Sequence, residues 1–337
     1  MEEKINLAVI GLGRIGKIHS RNIKNNIDDA SLAALVDISS EVLNKVSKEL
    51  NVNNTFTDYN KVIKNDKIDG VLICSATHTH PEISIAAANE GKHVFCEKPI
   101  ALEMDKINEV IDEVKKNNIV YEVGFNRRYD PNFRKAKKLI EAGEIGEPEQ
   151  LIIISHDPEP PSEDYIADCG GIFLDMTIHD FDMARYMLGE EIKQVMATGN
   201  CLIKDEFAKH NDVDTAVVSF ISETGYVGSI NNSRRAAYGY DNRVEILGAE
   251  GSIAVRNQRD SQVVVKKEQG IIEDNPMYFF TEKYEQAYIQ ELRDFVDCIK
   301  NNKSPLADEF DGKMAVKIGH AANSSLFQKK AVNIDLD

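Results

Sequence analysis

The sequence predicts an α/β protein in two parts, a parallel sheet with crossover helices followed by an α+β part whose sheet is mostly antiparallel. Three observations predict it. Apolar strand-like runs alternate with helical stretches through residue 124, the order that builds a parallel sheet. A Gly11-x-Gly13-x-x-Gly16 turn sits at the first strand–helix junction. From about residue 192 to 267 the strand-like runs follow one another across the turn signals Glu223-Thr224-Gly225 and Ala249-Glu250-Gly251, as hairpins do. The 337 residues are about twice the usual size of one domain, and the change of character places the boundary between residues 1–124 and 125–337.

Residues 5–10 (Ile-Asn-Leu-Ala-Val-Ile) read as a buried strand, followed by the glycine turn and a helix to about Asn26. Ser31 to Asp37 is a second strand and residues 40–50 a second helix. Gly70 to Ser75 is a short apolar strand, and Pro81 occupies the favoured first turn of an Ala- and Ile-rich helix. Lys92 to Cys96 is a strand, 103–117 a helix and Ile119 to Val123 a strand. Beyond the boundary, 130–142 reads as a helix, Gln150 to Ser155 as a strand, and Asp157 to Pro161 as a Pro-rich acidic loop. Phe173 to Leu188 has helical spacing. Ala216 to Phe220, Arg243 to Leu247 and Gln262 to Val265 read as strands, and 282–300 and 309–328 as closing helices.

The composition, 42% hydrophobic and 28% charged, is that of a globular chain. The net charge of −16 disfavours nucleic acid or an acidic membrane as partner, but leaves room for an anionic cofactor in a local pocket. No apolar run is long enough to span a bilayer. The start, Met1-Glu2-Glu3-Lys4, does not read as a secretory leader. The five cysteines, Cys74, Cys96, Cys169, Cys201 and Cys298, have no CxxC spacing, so free thiols in a reducing cytoplasm are expected.

The glycine turn offers Gly11, Gly13, Arg14, Ile15 and Gly16 to a dinucleotide. Gly11 allows the tight turn, Gly13 the approach of a pyrophosphate, and Gly16 the close packing of helix on strand. Asp37, closing the next strand, is placed to accept hydrogen bonds from the adenosine ribose. Its carboxylate would repel a 2′-phosphate, and no Arg follows in Ile38-Ser39-Ser40, so NAD is expected over NADP. Glu97-Lys98-Pro99 follows the strand ending at Cys96, where ligands gather in a parallel sheet. Lys98 could stabilise a developing alkoxide or relay a proton; a solvated Lys before a turn proline fits the spacing as well. Asp175 and His179 are four apart and would share one helix face, where the carboxylate could orient the imidazole as a base. A helix salt bridge is the plainer reading of that pair. His19, His93, His210 and His320 have no partner at metal-ligand spacing and read as packing or surface residues. No metal site is expected, and His78 and His80 read as cofactor-loop residues.

Four segments, Gly11-Leu-Gly-Arg-Ile-Gly-Lys-Ile-His19, Glu97-Lys98-Pro99, Gly124-Phe-Asn-Arg-Arg-Tyr129 and Gly170 to Asp182, occur in order. With them the chain resembles, over nearly its whole length, the glucose-fructose oxidoreductase/inositol dehydrogenase/rhizopine catabolism family, and most of all its inositol-oxidising members. The resemblance implies an N-terminal Rossmann domain with a doubly wound parallel sheet. It also implies a C-terminal domain whose open sheet serves substrate binding and assembly, commonly into a homo-tetramer. The implied reaction is NAD-dependent oxidation of a ring hydroxyl of myo-inositol, with Lys98, Asp175 and His179 as catalytic residues. Ser75, Ala76, Thr77, His80, Glu97 and Lys98 match cofactor-loop positions, with Ala76-Thr77 where the family usually reads Thr-Pro. Arg127, Asp157, Asp182 and Tyr238 match polyol contacts, and His156 stands where many inositol dehydrogenases carry Arg. Another inositol isomer or a sugar is the alternative substrate. A dinucleotide-sensing regulator is the alternative class, and it could dispense with the Lys and the His.

Overall fold

The computed structural model describes residues 4–336; the segment Met1 to Glu3, which carries most of the expectation of no leader, lies outside the described residues. The chain divides into two compact units, and the divide differs from the expected one at 124/125. One unit runs to Tyr129 and takes in Gln286–Val316; the other comprises Asp130–Glu285 and the residues from Lys317 on. The physical reason lies in helix Glu285–Asn301. Its Ile289, Leu292, Phe295 and Val296 recur at helical spacing and are buried in one apolar core with Leu7, Val9, Leu35, Leu72 and Phe95 of the first sheet. Burying a side chain such as Phe295 contributes ~1.5–3 kcal/mol, enough to tie this late segment to the first unit.

The first unit holds six parallel strands: β1 (Ile5–Ile10), β2 (Ala30–Val36), β3 (Thr55–Phe56), β4 (Gly70–Ile73), β5 (His93–Cys96) and β6 (Tyr121–Val123). Their order, β3-β2-β1-β4-β5-β6, reverses direction between β1 and β4. That is the switch point at which such sheets bind ligands. Helix α1 (Arg14–Asn26) follows β1 and α2 (Ser40–Leu50) follows β2. The Ser39 side chain caps α2 by accepting from Val42 N, and Asn51 ends it in the left-handed conformation (φ 52°). The two-residue β3 gave no signal of its own in the sequence; its register is set by β2.

The second unit is built on a seven-stranded sheet. Its strands are β7 (Pro148–His156), β8 (Ile192–Asn200), β9 (Thr215–Ser222), β10 (Val227–Ser233), β11 (Asp241–Gly248) and β12 (Gly251–Val255), and at the edge Val332–Asn333 pairs with β8. All neighbours are antiparallel except β7 and β10, which run parallel. The sheet is therefore mixed and mostly antiparallel. Burial alternates along β9 and β11, one face turned inward and the other bearing exposed Val217 and Leu247. The helix expected over Phe173 to Leu188 is two helices, Ile172–Asp175 and Ile178–Leu188, with a turn at Met176-Thr177. Among the described residues no helix is long and apolar enough to cross a membrane.

Candidate active site

In the first unit the expected cofactor residues gather at the carboxyl ends of the strands. Gly11, after β1, has φ +89°, and a Cβ there would lie 2.6 Å from the Ser75 backbone. A Cβ on Gly16 would fall 1.9 Å from the Gly11 carbonyl oxygen, so any side chain would break the turn. A Cβ on Gly13 would meet nothing within 4 Å, and α1 begins there with no side-chain cap. Free space over uncapped N–H groups fits a pyrophosphate. Asp37, after β2, is already oriented, its Oδ2 accepting from Leu12 N at 2.7 Å and its Oδ1 from Ser39 N at 2.8 Å. Lone pairs remain for ribose hydroxyls. These features fit NAD.

After β4, Ser75, Ala76 and Thr77 lead into a single 3₁₀ turn, Thr77–Thr79. Thr79 donates through its N and Oγ1 to the Ala76 carbonyl, and its hydroxyl lies 2.6 Å from Ser75 Oγ. His80, expected at the cofactor, has both ring nitrogens on protein carbonyls: Nδ1 is 2.8 Å from Pro99 O and Nε2 is 3.1 Å from Ser75 O. Two acceptors require two N–H donors, which is the imidazolium. Burial opposes that charge, but Cys96 and the two carbonyls outweigh it and push the His80 pKa up to about 9. Glu97, also expected at the cofactor, turns its carboxylate onto His19 Nε2 at 2.9 Å. Lys98, half-buried, follows it and precedes a cis peptide to Pro99. Arg127 is buried in the turn Asn126–Tyr129.

In the second unit, Asp175 and His179 do not share one unbroken helix, because the turn at Met176-Thr177 separates them. Thr177 N reaches the Ile172 carbonyl at 2.8 Å, five residues back, and its Oγ1 lies 2.9 Å from Asn232 Oδ1. Asn232 Nδ2 donates to Asp180 Oδ2 at 2.7 Å. β10 thus anchors the start of the helix that carries half-buried His179 and buried Asp182. The turn at Gly170-Gly171 takes positive φ at both glycines, and Asp212 Oδ1 accepts from Ile172 N at 2.9 Å.

Asp175 is fixed by partners that the spacing did not reveal. Its Oδ1 accepts from the Tyr165 hydroxyl at 2.7 Å and its Oδ2 from Arg234 Nη2 at 2.7 Å. Arg234 Nη1 reaches Asp157 Oδ2 at 3.1 Å. Burial and the Asp175 charge push the Tyr165 phenol well up, so it remains a donor. For Arg234 burial works against the charge, but Asp175 and Asp157 override it and raise the pKa further. Sequence reasoning missed Arg234, Tyr165 and Asn232. Tyr238, expected at the polyol, lies in an exposed turn and donates to Asp241 Oδ2 at 2.7 Å. Burial and this bond push its phenol up to about 12. Burial would raise Asp241, but hydrogen bonds from Arg243, Tyr238 and Asn257 hold it at about 2. His156 Nδ1 is 3.9 Å from the same carboxylate.

Residues 5–125 match the model of an oxidoreductase family with an NAD-binding Rossmann fold, and residues 133–254 match the GFO/IDH/MocA C-terminal domain. The chain is 47% identical over 329 residues to a myo-inositol 2-dehydrogenase of Thermotoga maritima, covering 98% of each. It is 34% identical to a scyllo-inositol 2-dehydrogenase (NAD(+)) of Bacillus subtilis, covering all of this chain and 98% of the other. The crystal structure of a scyllo-inositol dehydrogenase from Lactobacillus casei with bound NAD(H) and scyllo-inositol superposes with a TM-score of 0.92. It is 32% identical, over 98% of this chain and 99% of that one.

Proposed function

Because this chain belongs to the GFO/IDH/MocA oxidoreductase family and is an NAD-dependent dehydrogenase, we propose that it oxidises a ring hydroxyl of myo-inositol to the ketone. The observation that carries this reading is the 47% identity, end to end, with a myo-inositol 2-dehydrogenase. NAD, when bound, supplies the hydride acceptor. Gly11, Gly13, Arg14, Ile15 and Gly16 hold its pyrophosphate at the start of α1, Asp37 its adenosine ribose, and the Ser75-Ala76-Thr77 turn its nicotinamide end. His179 accepts the proton that leaves the hydroxyl oxygen, and the Lys98 ammonium stabilises the negative charge building on that oxygen. Asp175, fixed by Tyr165 and Arg234, orients His179 and binds the substrate. Arg127, Asp157, Asp182 and Tyr238 contact the remaining hydroxyls. A cyclic polyol presents many donors and acceptors, and the buried acids and Arg234 of the second unit answer that chemistry.

The experiment is an NAD-reduction assay over a panel of inositol isomers and common sugars, with Lys98→Ala and His179→Ala alongside. Turnover is expected to be highest with myo-inositol and to fall by ~10²-fold or more in both variants while NAD still binds. Near-normal turnover in both variants would remove the assigned roles. A preference for scyllo-inositol would move the substrate within the same class, and NAD binding without turnover on any polyol would favour a sensor. We also propose a homo-tetramer in a reducing cytoplasm. The exposed sheet face with Met196, Val217 and Leu247, and the five free cysteines, support it; light scattering reads the subunit number.

A further inference from the structure

The tripeptide Glu97-Lys98-Pro99 is held on both sides of Lys98 by a buried histidine. On one side, His19 Nε2 is 2.9 Å from Glu97 Oε1. His19 is fully buried on α1, edge-on to the rings of Phe95 and Tyr288 at 5.0 and 5.8 Å. The Glu97 carboxylate is seated over Gly124, where an added Cβ would come within 3.0 Å of Oε2. On the other side, His80 joins the Pro99 carbonyl to the Ser75 carbonyl. Both flanking residues of Lys98 are thereby fixed, and the fixing groups come from the dinucleotide helix and from the helix that follows the Ser75 turn.

The side chains of His19, Glu97 and Glu291 lie close enough together to suggest a metal site, with their nearest atoms within 4.8 Å of one another. Two observations favour a hydrogen-bonded cluster. A metal-bound imidazole almost always donates its second N–H to a partner, whereas His19 Nδ1 has none. Glu291 is fully buried with neither oxygen hydrogen-bonded, and burial together with the Glu97 charge pushes its pKa well up. Its Oε1, 3.8 Å from His19 Nε2, lies beyond hydrogen-bond reach, whereas Glu97 Oε1 is at 2.9 Å and takes the imidazole hydrogen.

We propose that His19 and His80 are positioning residues for Lys98, each immobilising one of its chain neighbours so that the ammonium keeps a single placement. This rests on the reading of Lys98 as a catalytic residue. A displacement of about 1 Å at a reacting group costs up to ~10²-fold, so for His19 the effect falls on kcat and not on cofactor affinity.

The test compares His19→Leu, His19→Gln and His80→Leu with Lys98→Ala, measuring kcat and KM for myo-inositol. NADH binding is followed by nicotinamide fluorescence, which the tryptophan-free chain leaves uncluttered. His19→Leu is expected to lower kcat by ~10- to 100-fold with NADH affinity within ~3-fold of the parent, and His80→Leu, which also releases the Ser75 carbonyl of the nicotinamide turn, to lower kcat by ~10-fold or more. His19→Gln, which can still donate to Glu97, should recover most of the loss; a role in packing alone would not predict that rescue. Should His80→Leu fail to fold, the His19 pair carries the same test. The proposal is overturned if His19→Leu turns over normally while Lys98→Ala is inactive, or if His19→Gln is no better than His19→Leu. Normal turnover in Lys98→Ala would overturn it too, and in that case the catalytic reading of Lys98 fails first.

Discussion

Replacing Arg234 by Met removes one guanidinium and leaves the volume nearly unchanged. The group is 4% exposed and bridges Asp175 at 2.7 Å and Asp157 at 3.1 Å. Its loss takes the cation from between two carboxylates, of which Asp175 is only 8% exposed. Breaking a buried ion pair by deleting one partner costs ~3–5 kcal/mol, because the remaining charge stays desolvated. Most of that belongs to the Asp175 arm, since the Asp157 side chain is 23% exposed and better served by water. Urea unfolding followed by far-ultraviolet circular dichroism reads the change. Adding Asp175→Asn should return ~1–3 kcal/mol, since it removes the buried charge that the guanidinium balanced. The reasoning fails if Arg234→Met lies within ~1 kcal/mol of the parent, or if the double variant is less stable than the single.

Two further outcomes are expected. His80 has its pKa raised from 6.5 to about 9 by the fold, so the native state binds the extra proton. Its contribution, on the order of 3 kcal/mol, is complete below about pH 6.5 and is lost as pH rises through about 9. A urea-midpoint profile should decline over that window in the parent and flatten in His80→Gln; parallel profiles would remove the assignment. Asp37→Ser deletes the acceptor that Leu12 N and Ser39 N hold in place. The NAD-to-NADP ratio of kcat/KM should drop by ~10-fold or more as the repulsion of a 2′-phosphate disappears, and an unchanged ratio would assign the preference elsewhere.

The alternating strands and helices of the first unit were legible because local patterns specify them: an apolar run, a glycine turn, then a capped or Pro-opened helix. Gly11, Gly16 and Asp37 were legible for the same reason, since each acts within one strand–turn–helix segment. The partners of Asp175 were not. Arg234 meets Asp157 and Asp175 only because β10 lies beside β7, and no spacing in Ser233-Arg234-Arg235 encodes that. The break at Met176-Thr177 escaped because its cause, the Thr177–Asn232 bond, joins residues 55 apart. The turning of Glu97 toward His19 escaped likewise, as it needs α1, β5 and Gly124 assembled around it. The late helix Glu285–Asn301 was legible as a helix, but not which core would take it.

The one parallel pair in the second sheet has a consequence for where chemistry can be assembled. Two strands with a common heading finish at the same rim, so the residues that follow them, Asp157 and Arg234, emerge as neighbours although 77 positions separate them. Had β10 run the other way, its last residue would lie at the opposite rim, about 20 Å distant for seven residues at ~3.3 Å each. Strand polarity, as much as side-chain identity, decides that an acid and a base from distant parts of the chain meet here.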